Sequence, residues 1–123
     1  MKHPRAKGSR NRLLCIRILE SQGWKVGVVE RTGKFITQKD LFGLFDLCAV
    51  KSPGRVLLVQ VSSNKPHNHK RLQAFAGAYP DLLTRQYSWE DYKGFKVYQY
   101  GGLKWHLVRR KLTWGSAPTA EEG

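Results

Sequence analysis

Two apolar runs rich in β-formers, 44–50 (LFDLCAV) and 55–62 (RVLLVQVS), are separated only by Lys51-Ser52-Pro53-Gly54. Pro-Gly is turn chemistry, so the two runs read as neighbouring strands of one sheet. Asn64 to Pro66 breaks the second run, and 67–79 then brings Leu72, Phe75 and Ala76 to helical spacing before Pro80 ends the pattern. The local order is strand, strand, loop, helix. Upstream, Ser9 offers an N-cap for a helix running to Gln22. Leu14 with Ile18 and Cys15 with Leu19 share one face, Arg12 and Arg17 lie elsewhere, and Gly23 stands as the C-cap. Residues 24–29 are β-formers, and Thr32-Gly33 supplies a turn before Phe35 and Ile36, which predicts a hairpin. Downstream, 82–87 reads as a last sheet strand, and 95–100 with 103–108 as a hairpin turned at Gly101-Gly102.

The chain of 123 residues is long enough for one core, to which 4 Trp, 5 Tyr and 5 Phe contribute. The expectation is a single α/β domain over 1–114: a mixed sheet flanked by helices, with a C-terminal hairpin appended. Residues 1–8 are expected to form a mobile basic arm and 115–123 a disordered tail.

Charge narrows the partner. Lys and Arg number 22 against 9 Asp and Glu, giving +13 at pH 7 and a pI near 10.2. A polyanion is the natural partner of such a surface. No apolar window approaches a membrane span, and the cations are spread along the whole chain, which speaks against a membrane surface. The segment from Met1 to Arg12 is not followed by an apolar run with a cleavage site, so a cytoplasmic location is expected. Cys15 and Cys48 each sit in an apolar stretch, as reduced core thiols do.

Chemistry concentrates between Lys39 and Lys70. Asp46 interrupts an apolar strand, where it serves either as a backbone cap or arginine partner, or as a Mg²⁺ ligand. Gln60 and Ser62 share the face of the next strand opposite to Val59 and Val61. The residues His67-Asn68-His69 open a helix flanked by Lys65, Lys70 and Arg71, and a helix N-terminus receives phosphate well. In the last third, Trp89, Tyr92, Trp105 and Trp114 interleave with Lys93, Lys104 and 109–111. That pattern fits cross-strand core pairs, with stacking on unpaired bases as the alternative.

A basic helix, a hairpin, a strand carrying Asp and a strand carrying polar-x-polar together resemble the PD-(D/E)XK nuclease superfamily. The closest resemblance is to archaeal and phage Holliday junction resolvase-like endonucleases. It rests on Lys7-Gly8-Ser9 ahead of the first helix, Gly23-Trp24 at its end, Asp46-Leu47-Cys48-Ala49, and the segments DLFGLFDL and QVSSNKPH. It spans residues 5 to about 79.

The resemblance implies a restriction-endonuclease-like fold and Mg²⁺- or Mn²⁺-dependent hydrolysis of phosphodiesters, with carboxylates holding the metal and a lysine near the attacking water. It also implies a homodimer, since two symmetric strands are cut, and favours DNA over RNA. Three positions depart from the pattern. The first-helix glutamate falls on Arg12, the second-strand acid on Gln60 and the lysine on Ser62, leaving Asp46. The expected catalytic set is Asp46, Gln60, Ser62 and Lys65, and the expected metal set Asp46, Asp40 and Gln60. Asp40 would bring a second carboxylate or cap the following turn. Lys65 would replace the missing lysine or meet phosphate, and Glu20 is a further acid or ordinary helix surface. Nucleic acid would be held by Lys7, Arg10, Arg12, Lys34, Lys39, His67, His69, Lys70 and Arg71. The alternative is a catalytically inactive nuclease-fold module that binds DNA or RNA.

Overall fold

The computed structural model of the chain describes residues 4–29, 31–32, 37–38 and 41–113. Helix α1 spans Pro4–Ser21, followed by β1 (Lys25–Val28), β2 (Arg31–Thr32), β3 (Thr37–Gln38), β4 (Leu47–Lys51) and β5 (Arg55–Ser63). Helix α2 (His69–Ala78), β6 (Leu83–Glu90), β7 (Gly94–Tyr100) and β8 (His106–Leu112) complete the order. Six strands form one mixed sheet in the order β1-β4-β5-β6-β7-β8. β5 and β6 run parallel with α2 as their crossover, and the remaining neighbours are antiparallel.

Each face of the sheet carries one helix. On one side Cys15, Ile18 and Leu19 of α1 pack with Leu47, Ala49, Leu57, Val59, Tyr87, Phe95 and Val97. On the other, Leu72 and Ala76 of α2 pack with Phe45, Leu58 and Tyr100. Leu19, Leu47, Phe45 and Leu72 are fully buried, and each such side chain contributes about 1.5–3 kcal/mol of transfer free energy. The parallel pair at the centre explains why β5 is apolar on consecutive residues, Leu57, Leu58 and Val59: both of its faces are covered.

Several expectations need correction. α1 starts at Pro4 rather than Ser9, because proline is well suited to a first helical turn and Arg5, Ala6 and Lys7 are good helix formers. The expected basic arm is therefore helical from Pro4. At the other end, Gly23 does cap: with φ +97 it lets Trp24 N donate to Leu19 O and its own N donate to Glu20 O, closing a Schellman motif. β1 does not pair with a hairpin partner but joins the main sheet through β4. The hairpin is the small separate ribbon β2–β3. β6 is not the last strand but lies inside the sheet, and the β7–β8 hairpin continues that sheet through β6 rather than being appended to it. Both cysteines are free, Cys15 buried and Cys48 half-buried. No described helix is long and apolar enough to cross a membrane. The expected tail at 115–123 lies outside the described residues.

Candidate functional site: a polar seam beside the start of helix α2

Asp46 precedes β4 instead of lying within it. Residues 41–45 close a tight turn, with Leu41 and Phe45 exchanging backbone hydrogen bonds of 2.7 and 3.0 Å. The chain then enters the sheet at Asp46, whose N–H donates to Val59 O at 2.8 Å. Its carboxylate Oδ2 accepts the Val61 N–H at 2.8 Å. β5 extends past the start of β4, so Val61 has no backbone acceptor on that side, and the side chain supplies one. Asp46 is thus a backbone cap, one of the two roles left open by sequence. Its charge also adds to burial in pushing the Cys15 thiol up.

Strand alternation separates the residues around it. Val59 and Val61 belong to the α1 side, together with Ser63, whose Oγ accepts from Asn11 Nδ2 at 2.8 Å. Gln60 and Ser62 point to the α2 side, both buried. The sheet therefore stands between the core face of α1 and the polar-x-polar pair. The buried Asn11 was missed by sequence reasoning, although a signal existed: it falls four residues before Cys15, on the apolar stripe of α1.

On the α2 side a polar seam crosses three strands in register. Gln60 faces Gln86 and Ser62 faces Ser88 across β5–β6, and Gln86 faces Tyr98 across β6–β7. Gln86 is its hub and is fully buried. Its Oε1 accepts from Ser62 Oγ at 2.9 Å and from His67 N at 3.0 Å. Its Nε2 donates to His67 O at 2.9 Å and to Tyr100 Oη at 2.7 Å. The hydroxyl of Tyr100 then lies 2.8 Å from His69 Nδ1, and burial pushes its pKa up to about 12, so it remains a proton donor. His69 stacks flat on Trp105, at 4.9 Å and 3°, and meets Tyr98 edge-on. Burial, and secondarily the charge of His67, lower the His69 pKa. Gln86 too was missed, though Thr84, Gln86 and Ser88 alternate along β6 as Gln60 and Ser62 do along β5.

This network pins the loop between β5 and α2. Asn68, at the N-cap, takes φ +62 and makes no side-chain cap hydrogen bond, which leaves the first N–H groups of α2 without a side-chain acceptor at that position. Lys65, His67, Lys70 and Arg71 are exposed around that end. Arg71 reaches over the 41–45 turn, since a Cβ on Gly43 would sit 3.5 Å from its Nη2. Arg10 is exposed and Arg12 half-buried on α1, Lys7 belongs to the same helix, and Glu20 is exposed near its end. Lys34, Lys39 and Asp40 lie outside the described residues.

A hard cation needs several oxygen ligands, chiefly carboxylates. Asp46 is one carboxylate with an oxygen committed to a backbone N–H, and Ser62 commits its proton to Gln86. Gln60 Oε1 is the favourable donor: it is buried with no hydrogen-bond partner. Among the described residues no three His, Cys, Asp or Glu side chains cluster as a metal centre would require. The described donors therefore fall short of a Mg²⁺ site. No protein-family model matches the chain, and no curated protein matches it.

Proposed function

We propose that this chain is a nucleic-acid-binding α/β domain that grips the phosphate backbone on the side of the sheet carrying α2. The observation that carries the reading is the α2 N-terminus, uncapped by Asn68 and ringed by exposed Lys65, His67, Lys70 and Arg71. Backbone N–H groups and the helix dipole favour an anion there. The Gln86 network holds the loop that presents them, so little ordering entropy is lost on binding. The net charge of +13 supplies long-range attraction. DNA is preferred over RNA, and a homodimer of nuclease-like fold is the arrangement proposed from the resemblance.

The test is binding of labelled single-stranded, duplex, flapped and four-way DNA, and of RNA, across a salt series. The logarithm of affinity is expected to fall linearly with that of salt, with a slope of about 0.9 per duplex phosphate contacted. Absence of binding to every substrate at low salt sinks the reading.

A second reading, metal-dependent endonuclease activity, is favoured by one observation, the orphan oxygen of Gln60 on the strand beside Asp46. It requires a further acid, and Asp40 is the proposed source. Cleavage of the same substrates with Mg²⁺ or Mn²⁺, lost in Asp46→Asn while binding persists, would support it; binding without cutting in the wild-type protein would leave the binding module.

A further inference from the structure

The pairing of β7 with β8 contains a bulge. Phe95 faces Leu112 and Val97 faces Arg109, so an advance of two residues on β7 is matched by three on β8. The extra residue falls within Arg110-Lys111, and Lys111 takes φ +56. Consecutive residues of a regular strand point to opposite faces. Here Arg110 and Lys111 instead line one crevice of about 220 Å³ together with Lys93, Gly94, Lys96 and Glu90.

The left-handed conformation is disfavoured for lysine and free for glycine. Across the ladder the chain does use glycine: Gly94 has φ +95, and a Cβ there would approach Leu112 O to 2.8 Å. At position 111 it keeps a lysine in the conformation that glycine would adopt without strain. Backbone strain retained at one residue points to a role for its side chain or for the bulge it creates, and bulges re-aim side chains.

Four cationic residues and one carboxylate surround the crevice. Glu90 is occupied by Lys96, Nζ to Oε1 at 2.6 Å, which orients Lys96 and leaves the positive charge in excess. Lys96 alternates along β7 with Tyr98 and Tyr100, both of which contact His69. It therefore lies on the α2 side of the sheet, as the start of α2 does.

We infer that this crevice is a phosphate site and, resting on the nucleic-acid reading above, that it takes one backbone phosphodiester of the same strand that meets the start of α2. Arg110 supplies a planar fork suited to phosphate oxygens, and the lysines supply charge.

The experiment compares wild type with R110Q/K111Q, with the charge-matched control R17Q/K25Q on exposed residues of α1 and β1, with E90Q and with K111G. Binding of labelled single-stranded and duplex oligonucleotides is measured across a salt series. R110Q/K111Q is expected to lower the salt slope by about one, with R17Q/K25Q leaving it as in wild type. E90Q should bind more tightly, and K111G should bind more weakly while melting no lower than wild type. Equal weakening by the two charge-matched doubles, or weaker binding by E90Q, overturns the crevice while the nucleic-acid reading stands. If wild type binds neither DNA nor RNA, that reading fails, and inorganic phosphate titrated into isotope-labelled protein decides the crevice separately. Amide shifts at Lys93 and Lys111 that R110Q/K111Q abolishes would keep the phosphate site; unmoved amides overturn it.

Discussion

The carboxylate of Asp46 accepts the backbone N–H of Val61 at 2.8 Å, 15 residues away. That bond ties the start of β4 to the stretch of β5 that runs on beyond their shared ladder, and gives Asp46 a structural task independent of any metal.

Asp46→Ala is therefore expected to destabilise the fold by about 1–3 kcal/mol, the cost of leaving a part-buried N–H without its acceptor. Asp46→Asn, which keeps a side-chain oxygen, should cost less. Urea denaturation of the two variants checks this; equal stability of Asp46→Ala and wild type would refute the cap. The asparagine variant is also the cleaner probe of cleavage, since it removes charge while keeping the acceptor.

Gln86 satisfies four hydrogen-bonding groups from the centre of the sheet. Gln86→Ala strands several of them at once and should cost about 3 kcal/mol or more. Gln86→Glu should also destabilise, because a carboxylate oxygen would replace the amide that donates to His67 O. Denaturation midpoints give the cost, and faster exchange of the His67 amide would localise it.

His69 couples the same network to pH. Gln86 donates to Tyr100 Oη, which leaves the hydroxyl proton free to point at His69 Nδ1 and favours the neutral ring. The folded pKa lies below the ordinary 6.5, first through burial and then through His67. The unfolded chain therefore takes up a proton that the folded chain resists. Stability from this group is fully present above about 6.5 and declines as pH falls below it. Unfolding midpoints between about pH 5 and 7 should fall in wild type and fall less in His69→Gln; identical slopes would remove His69 from the network.

Gly94→Ala tests the close approach of β7 and β8. The added Cβ would meet Thr113 Cγ2 at 2.7 Å and Leu112 O at 2.8 Å, at a φ of +95. Backbone cannot yield as a flexible side chain does, so a loss of about 1–3 kcal/mol or more is expected by thermal or chemical unfolding. A variant as stable as wild type would mean that the two strands separate there at little cost.

The chain itself determined the elements whose signals are local. The apolar runs flanking Lys51-Ser52-Pro53-Gly54 made β4 and β5 neighbours, Gly23 closed α1, and the spacing of Leu72 and Ala76 placed α2, because turn chemistry and periodicity act over a few residues. Helix α1 began earlier than its polar cap signal at Ser9 suggested, since proline starts a helix as readily as a side-chain cap does.

Tertiary structure decided what depends on distant partners. β1 chose β4 over a local hairpin, β6 entered the sheet parallel to β5 because α2 carries the chain across, and alternation then sent Gln60 and Ser62 to one face while Asn11 met Ser63 on the other. Asp46 reads in sequence as a charge within an apolar strand, yet its task is set by how far β5 outruns β4. Gln86 reads as an ordinary polar strand residue and becomes the hub of the seam only when Ser62, His67 and Tyr100 are brought to it. Local propensity fixes which segments are strands and helices; which polar atoms must satisfy one another is settled by register and by the side of the sheet each residue faces.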